Sequence, residues 1–336
     1  MIKMNLDFWN KLKLGKLTSE PKQIIGGFLH RMYKVETADA AYAVKVLNPV
    51  IMGRKDAVHN FITSERIARE AKQHGVNSVA AILDGGSPLR CVGEIYYLVY
   101  PWVDGGVRYF GEISEEMCRT IGGVLAQIHQ LPAGELEPIG AKPEKLSINW
   151  SEYETAIMEE NLPYAALYGQ SVPLLQRLQE RANAALEHVR KNSIGHRDMD
   201  PKNVMWDEKG SPWMIDWEAA GLVDPMQELA EMMIGWALDE TGEIVWSKFY
   251  AVRDGYKKKS GTTIQIPAYA FDAVIEGKLN WLHYNIRRSL GMETVDGQEQ
   301  ILGTKEAEHA LKDLLKYPLN CHCETKVGQS ENELRE

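Results

Sequence analysis

The sequence predicts an α+β protein with a strand-rich front and a larger helical remainder. Three observations carry this. Residues up to about 100 hold short apolar and aromatic runs broken by turn residues, with a single helical stretch among them. After Tyr100-Pro101 the texture changes to long amphipathic periods. The 336-residue length allows a substantial core in one or two domains, and 44% hydrophobic with 25% charged residues is an ordinary globular balance.

In chain order, IIGGFLHRMYKVET (24–37) reads as strand around a Gly-Gly pair, ADA (38–40) as a hairpin turn, and AYAVKVLN (41–48) as a second strand. HNFITSERIAREAKQHG (59–75) has helical spacing and is closed by Gly75. VAAILDGG (79–86) and EIYYLVYPWVDGG (94–106) read as two further strands. ISEEMCRTIGGVLAQIHQL (113–131) is an amphipathic helix with acidic residues at its start, and VPLLQRLQERANAALEHVRKN (172–192) is another. Residues 223–256, 266–289 and 304–317 are mostly helical in pattern, whereas 132–171 has weak periodicity and the final fourteen residues form a polar tail. This divides the chain at 1–100 and 101–336, and a cleft between two such lobes is a usual ligand position.

Charge and cysteine usage narrow the class. The net charge is −9, split as +5 over residues 1–100 and −14 over the rest, which argues against nucleic acid as a partner of the larger part. An anionic ligand in front and a cationic one behind suit that split. No apolar run approaches the roughly 20 residues of a membrane span, and the N-terminus lacks a signal-like apolar stretch, so a cytoplasmic protein without a membrane partner is expected. Cys91, Cys118, Cys321 and Cys323 do not make a disulfide scaffold, and Cys321-His322-Cys323 lacks the second cluster of a zinc site.

The chemistry is concentrated in three places. Lys45 interrupts an apolar strand, where it gains meaning if a carboxylate of the following helix reaches it. Glu65 and Glu70 are the candidates, and Glu65 shares a face with Phe61, Ile62 and Ala68. Such a pair would fix an ammonium against nucleotide phosphates. In GHRDMDPKN (195–203), Pro201 forces a loop that carries Asp198, able to accept a hydroxyl proton, and Asn203, whose amide oxygen can ligate magnesium; His196 would tie the loop down. Asp216 follows the short apolar run PWMI and is a second magnesium ligand; Asp200 and Glu218 either face solvent or steady the loops.

This combination resembles the aminoglycoside phosphotransferase and choline kinase family, small-molecule relatives of the protein kinases, over about Gln23 to Leu290. The resemblance implies a protein-kinase-like two-lobed fold: an N-terminal antiparallel sheet with one long helix, and a mainly helical C-terminal lobe. It makes GHRDMDPKN the catalytic loop with Asp198 as base and Asn203 as metal ligand, and MIDWEAAG the metal segment with Asp216 as principal ligand. It makes Lys45 and Glu65 the phosphate-positioning pair. Gly26 and Gly27 would belong to the nucleotide loop, and Tyr100, Trp102 and Val103 to the hinge beside adenine. Asp224 would steady the core. ATP and Mg2+ are the implied cofactors, and the implied reaction moves the γ-phosphoryl group to a hydroxyl.

The chain departs from the family pattern at Leu29 and His30, where relatives carry small and amide residues, at Arg197, where His-Gly-Asp is usual, and at Asp200 and Lys202. The acidic back region suits an amine-bearing small acceptor, aminoglycoside-like first, with choline or ethanolamine, a sugar or homoserine as alternatives, and a non-catalytic spore-coat-type protein as the alternative from another class. Trp236, Tyr269, Trp281 and Tyr284 are candidates for an aromatic box, with core packing as the competing role. Glu228, Glu231 and Asp239 are candidates to meet amines, with a wet helix face as theirs. The short interval from Asp216 to Asp224 leaves little room for the activation segment of a protein kinase.

Overall fold

Alternation along residues 41–46 decides which side chains face which layer. In the computed structural model, which describes residues 6–24, 30–133, 143–293 and 295–317, these residues form one strand of a five-stranded antiparallel sheet. Its strands are β1 (Lys22–Ile24), β2 (Arg31–Glu36), β3 (Ala41–Val46), β4 (Arg90–Val92) and β5 (Ile95–Pro101), in the order β1-β2-β3-β5-β4. The expected hairpin turn forms, with Thr37 N–H donating to Ala40 O at 2.9 Å and Thr37 Oγ1 accepting from Ala40 N–H at 3.1 Å.

Val44, Val46, Tyr97 and Val99 turn to one face, where Phe8 and Trp9 of α1 (Leu6–Lys11) and Leu12 just after it cover them. Burying each of these large side chains contributes about 1.5–3 kcal/mol. Because successive strand residues point to opposite faces, Lys45, its cross-strand partner Leu98, and Tyr100 turn to the other face. There Leu98 packs with Leu47, Phe61 and Ala81. Phe61 belongs to α3 (Ala57–Gln73), which follows the short α2 (Pro49–Met52) capped by Asn48.

The expected strand at 79–86 is corrected: it is extended chain without a ladder. Its N–H groups go to unrelated acceptors, Val79 to Met214 O, Ala81 to Glu65 Oε2 and Ile82 to Val99 O, so no single neighbour strand can pair with it. The expected helices at 113–131 and 172–192 are α4 (Glu115–His129), capped by Ser114, and α6 (Ala165–Leu186), which starts earlier than its pattern suggested. Before it, α5 (Glu152–Glu159) lies in the weakly periodic stretch. Short strands β6 (Ser193–Gly195), β7 (Val204–Trp206), β8 (Pro212–Met214) and β9 (Gly221–Val223) follow, paired β6 with β9 and β7 with β8. The helical stretch 223–256 is two helices, α7 (Pro225–Ala237) and α8 (Trp246–Ser260), and α9 (Ala268–Ser289) and α10 (Gly297–Lys316) complete the described chain. Among the described residues no helix is long and apolar enough to cross a membrane.

The chain packs as two compact units, which cut across a division at residue 100. The first gathers Met1–Glu137, Ser193–Val223 and Ser247–Thr262; the second gathers Pro138–Asn192, Asp224–Trp246 and Thr263–Glu336. In the first, α4 and α8 cross at two glycines. A Cβ on Gly122 would lie 1.9 Å from Val252 O, and one on Gly255 would lie 1.8 Å from Arg119 O. His129 and Tyr256 hydrogen-bond at 2.8 Å on the same pair of helices. In the second, α9 packs on α6, α7 and α10, and Asp224 caps α7 by accepting from Met226 and Gln227 N–H at 2.9 and 3.2 Å. Asp224 Oδ2 also accepts from Arg190 N–H at 2.9 Å and Tyr269 Oη at 3.2 Å, which is the steadying role expected of it.

Candidate active site

All described candidate residues for phosphoryl transfer lie in the first unit. Lys45, on the α3 face of β3, is 7% exposed, and its ammonium donates to Asp216 Oδ1 at 2.7 Å and to Glu218 Oε2. Burial alone would depress this lysine, but the two carboxylates outweigh it and raise it, so the charge is retained.

The expected Lys45–Glu65 pair is not closed. Glu65, 3% exposed on α3, has both oxygens engaged elsewhere: Oε1 accepts from Tyr100 Oη and Oε2 from Ala81 N–H, each at 2.6 Å. Lys45 takes the nearer carboxylates of the metal segment instead. Burial raises Glu65, against the opposing pull of Tyr100, Ala81 and Lys45. Burial, then Glu65, pushes the Tyr100 hydroxyl well above its ordinary range. Glu70 pairs with His74 one turn along the helix at 3.3 Å and does not join the group.

The loop at 195–203 is held from beneath. His196 is fully buried, donates from Nε2 to Ile215 O at 3.0 Å and packs on Trp217 with ring centres 4.5 Å apart. Ile215 N–H donates to Asn203 O at 3.0 Å, so the loop and the metal segment are joined at their backbones. Of the four described non-glycine residues in the left-handed region, two belong to this site, Arg197 at φ 64° and Asp216 at φ 58°. For a non-glycine residue that costs on the order of 1 kcal/mol or more, and such strain gathers at functional sites. The conformation at Arg197 also explains why glycine is usual at that position in the family pattern.

Asp198 is partly buried. Asn203 Nδ2 donates to its Oδ2 at 2.8 Å and to its backbone O at 2.9 Å. Lys202 lies 3.6 Å from Asp198 and 3.4 Å from Asp200. Burial pushes Asp198 up to about 7, with Asp200 and Asp216 adding to the rise and Lys202 opposing it. A carboxylate near neutrality is suited to taking a proton.

With its nitrogen on Asp198, Asn203 keeps the amide oxygen for a cation. Magnesium binds oxygen donors, commonly one or two side chains plus substrate phosphates. The Asp216 carboxylate and the Asn203 oxygen fit that set, and among the described residues no group of three His, Cys, Asp or Glu forms an all-protein metal cage.

Sequence reasoning missed two participants. Glu218 is partly buried and receives the Lys45 ammonium; burial pushes its carboxyl up, but the His30 contact and the Lys45 ammonium hold it well below the usual carboxylate range. His30, noted only as a departure, is buried against it. The signal available was the Glu two places after Asp216 within one apolar-flanked string. Of the hinge residues, Tyr100 points its hydroxyl inward to Glu65. Trp102 donates from its indole to Asp104 at 2.9 Å under the Lys34 ammonium, and Val103 is partly exposed. Gly26 and Gly27, like Cys321 and Cys323, lie outside the described residues.

The acceptor candidates sit in the second unit. Trp236 is fully buried and so is not available to a box; Tyr269 directs its hydroxyl at Asp224, and Trp281 and Tyr284 pack on each other with ring centres 5.9 Å apart. Glu228 is buried, and Asp239 accepts from Thr241 and Glu243 N–H in its own turn.

The phosphotransferase enzyme family profile matches residues 20–257. The chain belongs to this family. Solved structures agree in fold. A spectinomycin phosphotransferase, in complex with ADP and spectinomycin, aligns with TM-score 0.70 at 15% identity over 94% of this chain and 98% of its own. A Plasmodium vivax ethanolamine kinase aligns with TM-score 0.57 at 14% identity over 88% and 83%, and a Streptococcus pneumoniae choline kinase with TM-score 0.55 at 18% over 93% and 97%. No curated protein matches the sequence. This phosphotransferase therefore has the protein-kinase-like α+β fold, with an N-terminal antiparallel sheet and a largely helical C-terminal part, and is an enzyme of the small-molecule kinase type.

Proposed function

We propose that this phosphotransferase moves the γ-phosphoryl group of ATP to a hydroxyl of a small amine-bearing acceptor, aminoglycoside-like first. The observation that carries the reading is the convergence of Lys45, Asp198, Asn203 and Asp216, from separate segments, on one site. The spectinomycin phosphotransferase with bound ADP, and another structure of that enzyme with AMP, support an adenine nucleotide as donor.

In this reading Lys45 orients the donor phosphates, and Gly26 and Gly27 lend backbone N–H groups to them. Tyr100, Trp102 and Val103 flank adenine through the backbone and the indole, since the Tyr100 hydroxyl is engaged. Glu65 positions the α3 face indirectly, by holding the Tyr100 and Ala81 segments together. Asn203 and Asp216 would hold Mg2+, which supplies charge neutralisation on the phosphates. Asp198 positions the acceptor hydroxyl and receives its proton as the new O–P bond forms and ADP leaves. Residues 1–100 are assigned to nucleotide and 101–336 to catalysis and acceptor, and the cytoplasm is the compartment proposed.

Mass detection of phosphorylated product with ATP and Mg2+, across spectinomycin and other aminoglycosides, choline, ethanolamine, methylthioribose, homoserine and a macrolide, tests it. One acceptor gaining phosphate, with Asp198→Ala silent, supports the reading. Mg-ATP binding without transfer to any of them favours the non-catalytic alternative.

A further inference from the structure

His30 has no part in the chemistry proposed above, yet it is 7% exposed among the groups that carry it. A buried imidazole needs its ring nitrogens accounted for, and here each faces a different segment. Asn48 N–H donates to Nδ1 at 3.0 Å. That bond uses the Nδ1 lone pair, so the ring hydrogen belongs on Nε2. Nε2 lies 3.4 Å from Glu218 Oε2, the oxygen that also receives the Lys45 ammonium. Edge-on packing against Phe61, with ring centres 5.7 Å apart, sets the plane of the ring.

The imidazole thus joins the residue just before β2, the junction of β3 with α2, and the metal segment. We propose that His30 is a positioning residue for phosphoryl transfer: its Nε2–H holds the Glu218 carboxylate beside Lys45, while Asn48 fixes the tautomer that makes this possible. A glutamate side chain is rotamer-rich, and ordering it carries an entropic cost. A second donor on the same oxygen confines it, and with it the direction in which the Lys45 ammonium is drawn. Small or amide residues at the end of the loop, as the family pattern has them, present no imidazole to span these two partners.

A histidine that merely fills space between Phe61 and the sheet would behave differently on substitution. His30→Gln keeps an N–H donor near the place of Nε2 and gives up the Asn48 contact. His30→Asn keeps an acceptor near the place of Nδ1 and gives up the reach to Glu218. The inference rests on the phosphotransferase reading, so nucleotide affinity is measured beside turnover: Mg-ADP binding by calorimetry, and kcat and ATP KM with whichever acceptor the panel identifies.

The expected result is that His30→Gln stays within about threefold of the parent in kcat, while His30→Asn falls by roughly 10–100-fold, the scale of a small misplacement of reacting groups. Melting temperatures of the two variants should agree within about 2 °C. If no acceptor is found but the parent binds Mg-ADP, weaker binding by His30→Asn than by His30→Gln supports the proposal. Equal effects of the two variants, a fully active His30→Asn, or losses that track melting temperature overturn it. A parent that neither binds nucleotide nor transfers phosphate overturns the phosphotransferase reading itself, and this inference with it.

Discussion

The Lys45 ammonium lies 2.7 Å from Asp216 Oδ1 although 171 residues separate the two in sequence. A cation and an anion from distant parts of the sequence are therefore paired inside the first unit. The lysine keeps its charge beside Asp216 and Glu218, and the two partners come from different elements, β3 for the lysine and the left-handed turn after β8 for the aspartate. Lys45→Met is expected to lower kcat/KM for ATP by about 100–1,000-fold, the scale seen when one preorganised charge-stabilising donor is removed. Steady-state kinetics at varied ATP would check this; a variant within fivefold of the parent would exclude the assigned role.

Asp198 gives a prediction in which activity and stability move in opposite directions. Its carboxyl sits near 7 in the folded protein, above the ordinary 3.8. Between those values the folded state holds more protons than the unfolded state, so this group makes stability fall as pH rises through that window. Asp198→Asn removes the titration and leaves a side chain able to meet Asn203. The metal-free variant should therefore gain melting temperature relative to the parent at pH 8 and keep only a smaller advantage at pH 5, while turnover drops by about 100–10,000-fold. Thermal melts at the two pH values with chelator present, run beside the assay, would decide it.

Tyr100 anchors a carboxylate that has no other side-chain donor among the described contacts. Tyr100→Phe keeps the ring and removes the Oη that gives Glu65 its 2.6 Å hydrogen bond. A lost hydrogen bond to a buried charged group costs about 1.5–3 kcal/mol. Chemical denaturation should register a loss of that size, with the slope unchanged. A neutral result would mean that Glu65 is carried protonated and that its burial needs no donor.

The crossing of α4 and α8 leaves no room at Gly122. Since an added methyl would lie 1.9 Å from a main-chain oxygen, the helices must separate to admit it. Overpacking of this kind costs about 1–3 kcal/mol and occasionally more, and the upper end is expected because backbone rather than a flexible side chain obstructs. Gly122→Ala should show a clearly lowered melting temperature. Gly123→Ala, whose methyl would meet nothing nearer than 3.7 Å, serves as the control.

Much of this site was legible in the sequence because its residues sit in strings whose spacing has a mechanical reason. Pro201 forces a loop between Asp198 and Asn203, and PWMI delivers Asp216 from a strand. What stayed hidden was pairing between strings. Nothing in AYAVKVL says that its lysine prefers Asp216 and Glu218 to Glu65; that depends on Ala81 and Tyr100 having already taken both Glu65 oxygens. The strand expected at 79–86 failed for a related reason, since β-forming residues make a ladder only when one neighbour offers consecutive acceptors. The interior place of Trp236, by contrast, agrees with the core packing weighed for it, since aromatics at helical spacing more often line a core.

The three-part make-up of the first unit has a consequence for how the protein is made. The sheet and α4 emerge early, but the strings bearing Asp198 and Asp216 arrive only after the second unit has begun, and α8 later still. At about 5–20 residues per second, the glycine face of α4 waits on the order of ten seconds for Gly255 to leave the ribosome. Throughout that interval the nascent chain carries an uncovered helix surface, and for most of it a Lys45 without its carboxylates. Translation speed across residues 130–262, more than the intrinsic folding rate of any element, therefore sets how long the newborn enzyme must be shielded from its neighbours.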